Sequence, residues 1–219
     1  MKVYIGWDSR EDIAYQVCKK SILIHNRNIE IYPIKQNYLR GLGVYTRQED
    51  SLASTEFTLT RFLTPFLSDY SGISIFMDCD MLVQVDVEKI LMEVDYKDPV
   101  TCVQHLPYKP KTNYKMDGKV QSEYPKKNWS SFMVFNCSHP SLKQTLSVKN
   151  INSQTPQYLH RMEWATSIGS ISHSWNYLVG YYNDIEVPNV LHYTDGGPWF
   201  PEYSDCEFSK EWLGVYNSV

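Results

Sequence analysis

The sequence predicts an α/β protein built around one core, and three observations carry that prediction. Short β-branched runs alternate with segments of helical spacing, one of those runs is apolar without interruption, and 219 residues with 42% hydrophobic and 21% charged side chains supply a core without the charge excess of disordered chains. A single α/β core grows to this length before a chain must divide. One domain over residues 1–219 is therefore expected, whether it stands alone or serves as a module of a longer protein.

The elements follow in order. Lys2–Gly6 is a β-branched and aromatic run that reads as a first strand, and residues 11–24 place Ile13, Val17, Ser21, Ile22 and Ile24 close to helical spacing. Residues 29–34 alternate as a second strand, and the polar stretch 35–54 reads as a long loop. Ser54 or Thr55 is placed to cap a helix through Phe57, Leu59, Arg61, Phe62 and Leu63, which Pro65 kinks or ends. Ile73-Ser-Ile-Phe-Met77 is continuous in the manner of a strand buried on both faces, and it delivers Asp78-Cys79-Asp80 at its carboxyl end. Open α/β sheets bind their ligands there. Further strands are expected at 100–104, 132–135 and 190–193, with helices near 87–94, 141–147 and 158–168. Residues 107–127 are rich in Lys, Tyr and Pro, too irregular for a regular element and locally positive.

A formal charge of −4 and a pI near 5.9 argue against nucleic acid as a partner, because phosphate backbones demand a broad cationic footprint. Five cysteines without a CxxC spacing suggest neither a disulfide framework nor a zinc knuckle, so a reducing, cytoplasmic setting is expected. The opening apolar stretch runs at once into Asp8, Arg10, Glu11 and Asp12, unlike a secretory leader. No apolar run approaches the roughly 20 residues of a membrane helix.

Asp78 and Asp80, two residues apart on extended backbone, would point to one face and converge on a cation. Hard oxygen ligands suit Mg²⁺ or Mn²⁺, which commonly sits between protein carboxylates and substrate phosphates. His192 adds an imidazole, and Gly196-Gly197 after it permit close approach of backbone N–H groups to an anion. Taken singly, an Asp-x-Asp after a strand is an ordinary turn and a lone histidine an ordinary packing residue. A phosphatase of the haloacid-dehalogenase type also carries DxD after an apolar strand. Here Leu82 occupies the fifth place where such enzymes have Thr or Val, and no later lysine with an acidic GDxxD-like element follows.

The blocks together resemble glycosyltransferases of the GT-A fold, and most closely family 8, which contains glycogenin and the bacterial lipopolysaccharide galactosyltransferases. Val3-Tyr-Ile-Gly-Trp-Asp8 is similar to the family's first strand and nucleotide-binding loop, Arg61-Phe-Leu-Thr-Pro65 to the helix before the metal-binding strand, Phe76-Met-Asp-Cys-Asp-Met-Leu-Val83 with Asp86 to that strand, and His192-Tyr-Thr-Asp-Gly-Gly-Pro-Trp199 to the C-terminal signature. The resemblance implies a Rossmann-like nucleotide-diphospho-sugar transferase with a central, mostly parallel mixed sheet flanked by helices. It implies that Trp7, Asp8, Arg10, Arg61, Gly196 and Gly197 bind the donor with Asp78 and Asp80, and that Asp78, Asp80 and His192 hold Mn²⁺ or Mg²⁺. The activity implied is metal-dependent transfer of a sugar from a UDP-hexose such as UDP-glucose to a glycan or glycoprotein acceptor.

Three departures mark this chain. Gly197 stands where relatives place a diphosphate-gripping lysine, so Arg10 or Lys127 is the expected source of that charge. Trp129-Ser130-Ser131 replaces an Asn-x-Gly strand and puts Trp129 and Ser130, with Trp199 and Tyr114, among the expected sugar or acceptor contacts. The usual Asp-Gln-Asp segment is absent, and Glu163 in His160-Arg-Met-Glu-Trp164 is the substitute carboxylate. Family 8 members retain anomeric configuration, with Asp78 placed to hold the donor. An inverting relative would need a base within hydrogen-bond reach of the acceptor, for which Glu163 and Asp195 are the candidates. A sugar-nucleotide-binding protein without turnover is the remaining alternative, since the Gly-rich N-terminal loop of nucleotide-sugar synthesis is missing.

Overall fold

The computed structural model describes residues 1–48, 53–107 and 126–219. Nine strands lie within them: β1 (Lys2–Gly6), β2 (Glu30–Ile34), β3 (Ile73–Met77), β4 (Met81–Val83), β5 (Val100–Cys102), β6 (Phe132–Asn136), β7 (Gly169–Ser170), β8 (Tyr177–Leu178) and β9 (Val190–His192). The helices are α1 (Asp12–His25), α2 (Gln36–Gly41), α3 (Thr64–Leu67), α4 (Leu142–Thr145), α5 (Val148–Ser153), α6 (Pro156–His160) and α7 (Ser209–Tyr216). The main sheet has the order β2-β1-β3-β6-β5-β7. Parallel pairing joins β1 to β2 and β3, and β5 to β7, while β6 runs antiparallel to β3 and β5. This is the mixed, mostly parallel α/β sheet that the resemblance implied.

Direction follows from that pairing. Because β3 and β5 both oppose β6, the carboxyl ends of β1, β3, β5 and β7 and the amino end of β6 open at one edge. Tyr4, Ile5, Ile75, Phe76, Met77, Val134 and Phe135 fill the core on both faces of these strands, which is why β3 reads as unbroken apolar sequence. Pro33 is tolerated in β2 because β2 is an edge strand and its missing N–H faces no partner.

A second sheet, β4-β9-β8, is antiparallel between β4 and β9 and sets His192 opposite Met81. Its residues Leu82, Tyr177, Leu191 and Tyr193 form a second cluster with Val17 of α1 and Trp212 of α7. Helix α1 packs on both clusters, presenting Tyr15, Cys18 and Ile22 to the main one. It is also tied to β4 by Ser21, whose hydroxyl accepts the Val83 N–H (3.0 Å) and donates to the Cys18 carbonyl (2.7 Å). Among the described residues no helix is long and apolar enough to cross a membrane.

Several expected elements are shorter than their hydrophobic spacing suggested. The helix expected from Phe57 is a turn followed by a 3₁₀ segment (Thr60–Leu63) and then α3, with Pro65 inside its first turn. Pro65 has no N–H for the Arg61 carbonyl, and the Thr64 hydroxyl takes that carbonyl instead (2.8 Å). The helix expected at 158–168 stops as α6, because the Trp164 indole occupies the Leu159 carbonyl (3.0 Å) and Met162 takes a left-handed conformation (φ 54°). Residues 87–92 form a 3₁₀ segment capped by Asp86, whose carboxylate accepts the Glu88 N–H (3.0 Å). The loop expected at 35–54 contains α2, the Phe76–Val83 block expected as one strand is divided into β3 and β4, and α5, α7, β7 and β8 carry no sequence expectation.

Candidate active site

Asp78 and Asp80 do not continue an extended strand as the spacing suggested. They form the turn between β3 and β4, fixed by the Asp78 N–H donating to the Ser131 carbonyl (2.9 Å) and the Tyr193 N–H donating to the Asp80 carbonyl (3.0 Å). Cys79 between them is buried, which turns both carboxylates the other way, toward the edge of the sheet. Burial, then the charges of Asp80, Glu11 and Asp78, push the Cys79 thiol well up, leaving it a protonated packing group.

His192 meets this turn because β9 pairs with β4. Its ring is 2% exposed, and Nε2 lies 3.3 Å from Asp80 Oδ2. The other nitrogen settles the tautomer. The Asn176 amide nitrogen donates to the Asn128 carbonyl (3.2 Å) and to Ser131 Oγ (2.9 Å), so the amide oxygen must face His192 Nδ1 (2.8 Å). Nδ1 therefore carries a hydrogen, and Nε2 is the ring atom that faces the Asp80 carboxylate. Asp80 Oδ1 is buried with no partner among the described residues. Donor atoms of Asp78, Asp80 and His192 all lie within 4.8 Å of one another. Two bonds of about 2.1–2.2 Å span at most about 4.4 Å, so small adjustments close this group on a divalent ion. The donor chemistry and the unpartnered oxygen both fit Mn²⁺ or Mg²⁺.

Arg61 is no surface residue. It is 5% exposed, lies between the Phe57 and Phe76 rings (5.2 and 5.1 Å to their centroids), and is held by the Thr58 carbonyl (3.0 Å) and the Ser130 carbonyl (2.9 Å). Its Nη1 forms an ion pair with Asp78 Oδ1 at 2.9 Å. Ser130 is itself buried, and its hydroxyl pairs with His160 Nδ1 (2.9 Å). Trp129 is half-buried, with its indole N–H on the His105 carbonyl (3.1 Å) and Lys126 Nζ 5.4 Å above its ring. The backbone of Trp129-Ser130-Ser131 thus forms a scaffold for Arg61 and Asp78.

Asp8 follows β1 at the same edge, yet its carboxylate is spent on the protein. Oδ1 accepts from Arg10 N (3.0 Å) and Nε (2.9 Å), and Oδ2 accepts from Arg10 Nη2 (2.7 Å) and Glu56 N (3.1 Å). Burial alone would raise its pKa; the Arg10 side chain and the Arg10 and Glu56 N–H groups outweigh that and hold it below the ordinary carboxylate value. Arg10 also donates to the Ser54 carbonyl (2.9 Å), so its expected role as a free diphosphate charge competes with an internal one. Trp7 donates its indole N–H to Asp12 (2.6 Å) under Lys35, whose Nζ stands 4.4 Å above the ring.

In the C-terminal block, a Cβ on Gly197 would overlap the six-membered ring of Trp199. This is the physical reason a lysine cannot stand there while Trp199 keeps its place. Trp199 is part of the second cluster, with its ring 5.5 Å from Trp212 and 6.1 Å from Tyr193, so packing accounts for it before any sugar does. Asp195 is half-buried and its Oδ2 accepts from the Tyr181 hydroxyl (2.6 Å). Glu163 is exposed and stands outside the Asp78–Asp80–His192 group; His160 of the same segment is the residue turned inward. Lys127 is half-buried, and Tyr114 lies outside the described residues. Asn176 and Ser131, which orient His192, carry no sequence signal beyond being a polar residue beside an apolar one.

A six-stranded mixed sheet with an Asp-x-Asp turn between β3 and β4 and a histidine returning from a second sheet defines the GT-A fold. Solved glycosyltransferases share it: LgtC, a galactosyltransferase solved with donor and acceptor sugar analogues (TM-score 0.63, 12% identity, 100% of this chain and 96% of that one), GlyE of Streptococcus pneumoniae (0.61, 14%, 98% and 59%) and the bifunctional WbbM (0.65, 16%, 100% and 50%). The chain thus spans little more than half of GlyE and half of WbbM. No family model matches the chain. It is 47% identical over 220 residues to Protein CDI of Arabidopsis thaliana, covering 97% of this chain and 84% of that protein, and it belongs to the Protein CDI family.

Proposed function

We propose that this chain is a metal-dependent glycosyltransferase that moves a sugar from a UDP-hexose such as UDP-glucose to a glycan or glycoprotein acceptor, in the manner of family 8. One observation carries the reading. A buried Asp80 oxygen has no partner among the described residues and lies in a group with Asp78 and His192 whose donor atoms are all within 4.8 Å, coordination capacity that a cation would fill. Asp78, Asp80 and His192 would hold Mn²⁺ or Mg²⁺, which when bound offsets the negative charge gathering on a departing diphosphate.

The chain's own residues supply the rest. Arg61, ion-paired to Asp78 and held by two carbonyls, keeps a fixed positive charge where the donor's sugar or diphosphate would lie. The Gly196 N–H is taken by the Tyr193 carbonyl (2.9 Å), which leaves the Gly197 amide as the one of the pair without a protein acceptor among the described residues. A retaining course is supported by the placement of the two expected bases: Glu163 is exposed and stands outside the Asp78–Asp80–His192 group, and Asp195 is already engaged by the Tyr181 hydroxyl. Five unbridged thiols support a reducing compartment.

Calorimetry with UDP in the presence and absence of Mn²⁺ tests the donor assignment: binding is expected to require the ion, and no binding with the ion present overturns it. NMR of the sugar released from UDP-glucose then reads the stereochemistry. The α anomer is expected first; a β product moves the reaction to the inverting class, and binding without any product leaves a sugar-nucleotide-binding protein.

A further inference from the structure

Outside the Asp78–Asp80–His192 group, one buried imidazole at the same edge of the sheet has an atom left over. His105 follows β5, whose carboxyl end opens at the same edge as that of β3 with β6 between them, and it is 6% exposed. Its carbonyl holds the Trp129 indole (3.1 Å), and Trp129 begins the turn whose Ser130 and Ser131 carbonyls hold Arg61 and the Asp78 N–H. Its Nδ1 lies 2.8 Å from the Tyr182 hydroxyl, and Nε2 is buried with no partner among the described residues.

The protons can be assigned. Burial, reinforced by the neighbouring His192 and His173, pushes the His105 pKa down to about 3, so the ring is neutral. Tyr182 has no other acceptor for its phenolic hydrogen among the described residues and donates it to Nδ1. Nε2 then carries the ring's one hydrogen, a fixed N–H with nothing to receive it. Unmade hydrogen bonds in buried sites are rare and mark positions where a ligand completes the set. A neutral donor suits a sugar hydroxyl, whereas a phosphate is better met by a cation, and the half-buried Trp129, tied to the His105 carbonyl, is the aromatic ring at this edge that a sugar C–H face would meet.

Resting on the transferase reading above, we propose that His105 Nε2–H donates to a hydroxyl oxygen of a bound sugar, either the transferred hexose or the acceptor. The test uses the full chain carrying His105→Phe, which keeps a ring and removes the N–H, with Tyr182→Phe as a milder variant that frees the tautomer. Calorimetry with Mn²⁺ compares UDP with UDP-glucose. If the contact is to the donor sugar, UDP affinity stays within about twofold while UDP-glucose affinity falls about tenfold, the worth of one neutral hydrogen bond. If it is to the acceptor, both affinities and UDP-glucose hydrolysis hold while the KM of an acceptor glycoside, tested as p-nitrophenyl glucoside, rises about tenfold. Tyr182→Phe should shift the same quantity about threefold, and ¹⁵N NMR of the wild-type chain should show His105 as the Nε2–H tautomer. Equal loss of UDP and UDP-glucose binding, no change in any of the three quantities, or an Nδ1–H tautomer overturns the assignment. Absence of UDP binding by the wild-type chain defeats the transferase reading, and this proposal with it.

Discussion

Asp8 and Asp80 follow adjacent strands of one sheet and open at one edge, and the fold treats them in opposite ways. Asp8 is fully buried and receives four hydrogen bonds, three from Arg10 and one from Glu56. Asp80 keeps 16% of its side chain exposed, faces His192 Nε2 at 3.3 Å, and has one oxygen with no partner among the described residues. A carboxylate whose acceptors are all filled by its own chain is architecture: it stitches residues 8–11 to residues 54–56. A carboxylate left short of donors beside a second carboxylate is a place where a cation would be stabilising, because burying unpaired charge is costly. The resemblance assigned both to donor binding; hydrogen-bond bookkeeping separates them.

The largest effect expected from this contrast is on Asp80→Asn. Metal-dependent turnover of the correct UDP-sugar should fall by at least about a hundredfold, while the melting temperature without metal stays level or rises, since an uncompensated charge is removed. Unchanged turnover would remove Asp80 from the ligand set. Next comes Asn176→Ala, which frees the His192 ring to change tautomer and should weaken Mn²⁺ binding by about 10–100-fold in a metal titration. An unaltered Mn²⁺ affinity would show that the Asn176 hydrogen bond does not set the ring.

Asp8→Asn should behave in the reverse sense. A loss of about 2 kcal/mol in denaturant unfolding is expected, less than the roughly 3–5 kcal/mol of a fully buried pair because Arg10 remains 43% exposed. A larger effect on Mn²⁺ affinity than on stability would dissolve the distinction drawn here.

The smallest effect is in pH. The Asp8 pKa is depressed on folding, so its contribution is present above the unfolded carboxylate pKa and disappears as pH falls through the folded one. His105 acts in the same direction at higher pH: its pKa, pushed down to about 3, means that acid below about 6.5 favours the unfolded chain, which binds the proton more readily. Metal-free stability should therefore decline from pH 6.5 downward, and His105→Phe should flatten the limb between pH 6.5 and 4 while Asp8→Asn flattens only the part below it. Parallel acid limbs for all three proteins would contradict both assignments.

The sequence by itself determined a good deal. Continuous apolar character placed β3 in the centre of the sheet, helical spacing placed α1, and four ordered blocks brought Arg61, Asp78, Asp80 and His192 under one chemistry. These are signals a chain carries over a few residues, in side-chain period and turn chemistry. The tertiary structure alone decided how those residues are used. Pairing of β4 with β9 set His192 beside Asp80, an amide from the segment before β8 fixed the imidazole's orientation, and Arg10 closed on Asp8. Trp199 folded over Gly197 and so excluded a lysine, and Pro65 and Trp164 cut short helices that hydrophobic spacing had extended. Whether a buried polar atom has a partner depends on register and close approach between distant segments. No local pattern records that balance, and at this edge it is what distinguishes the fully partnered Asp8 from Asp80, which keeps an oxygen without a partner among the described residues.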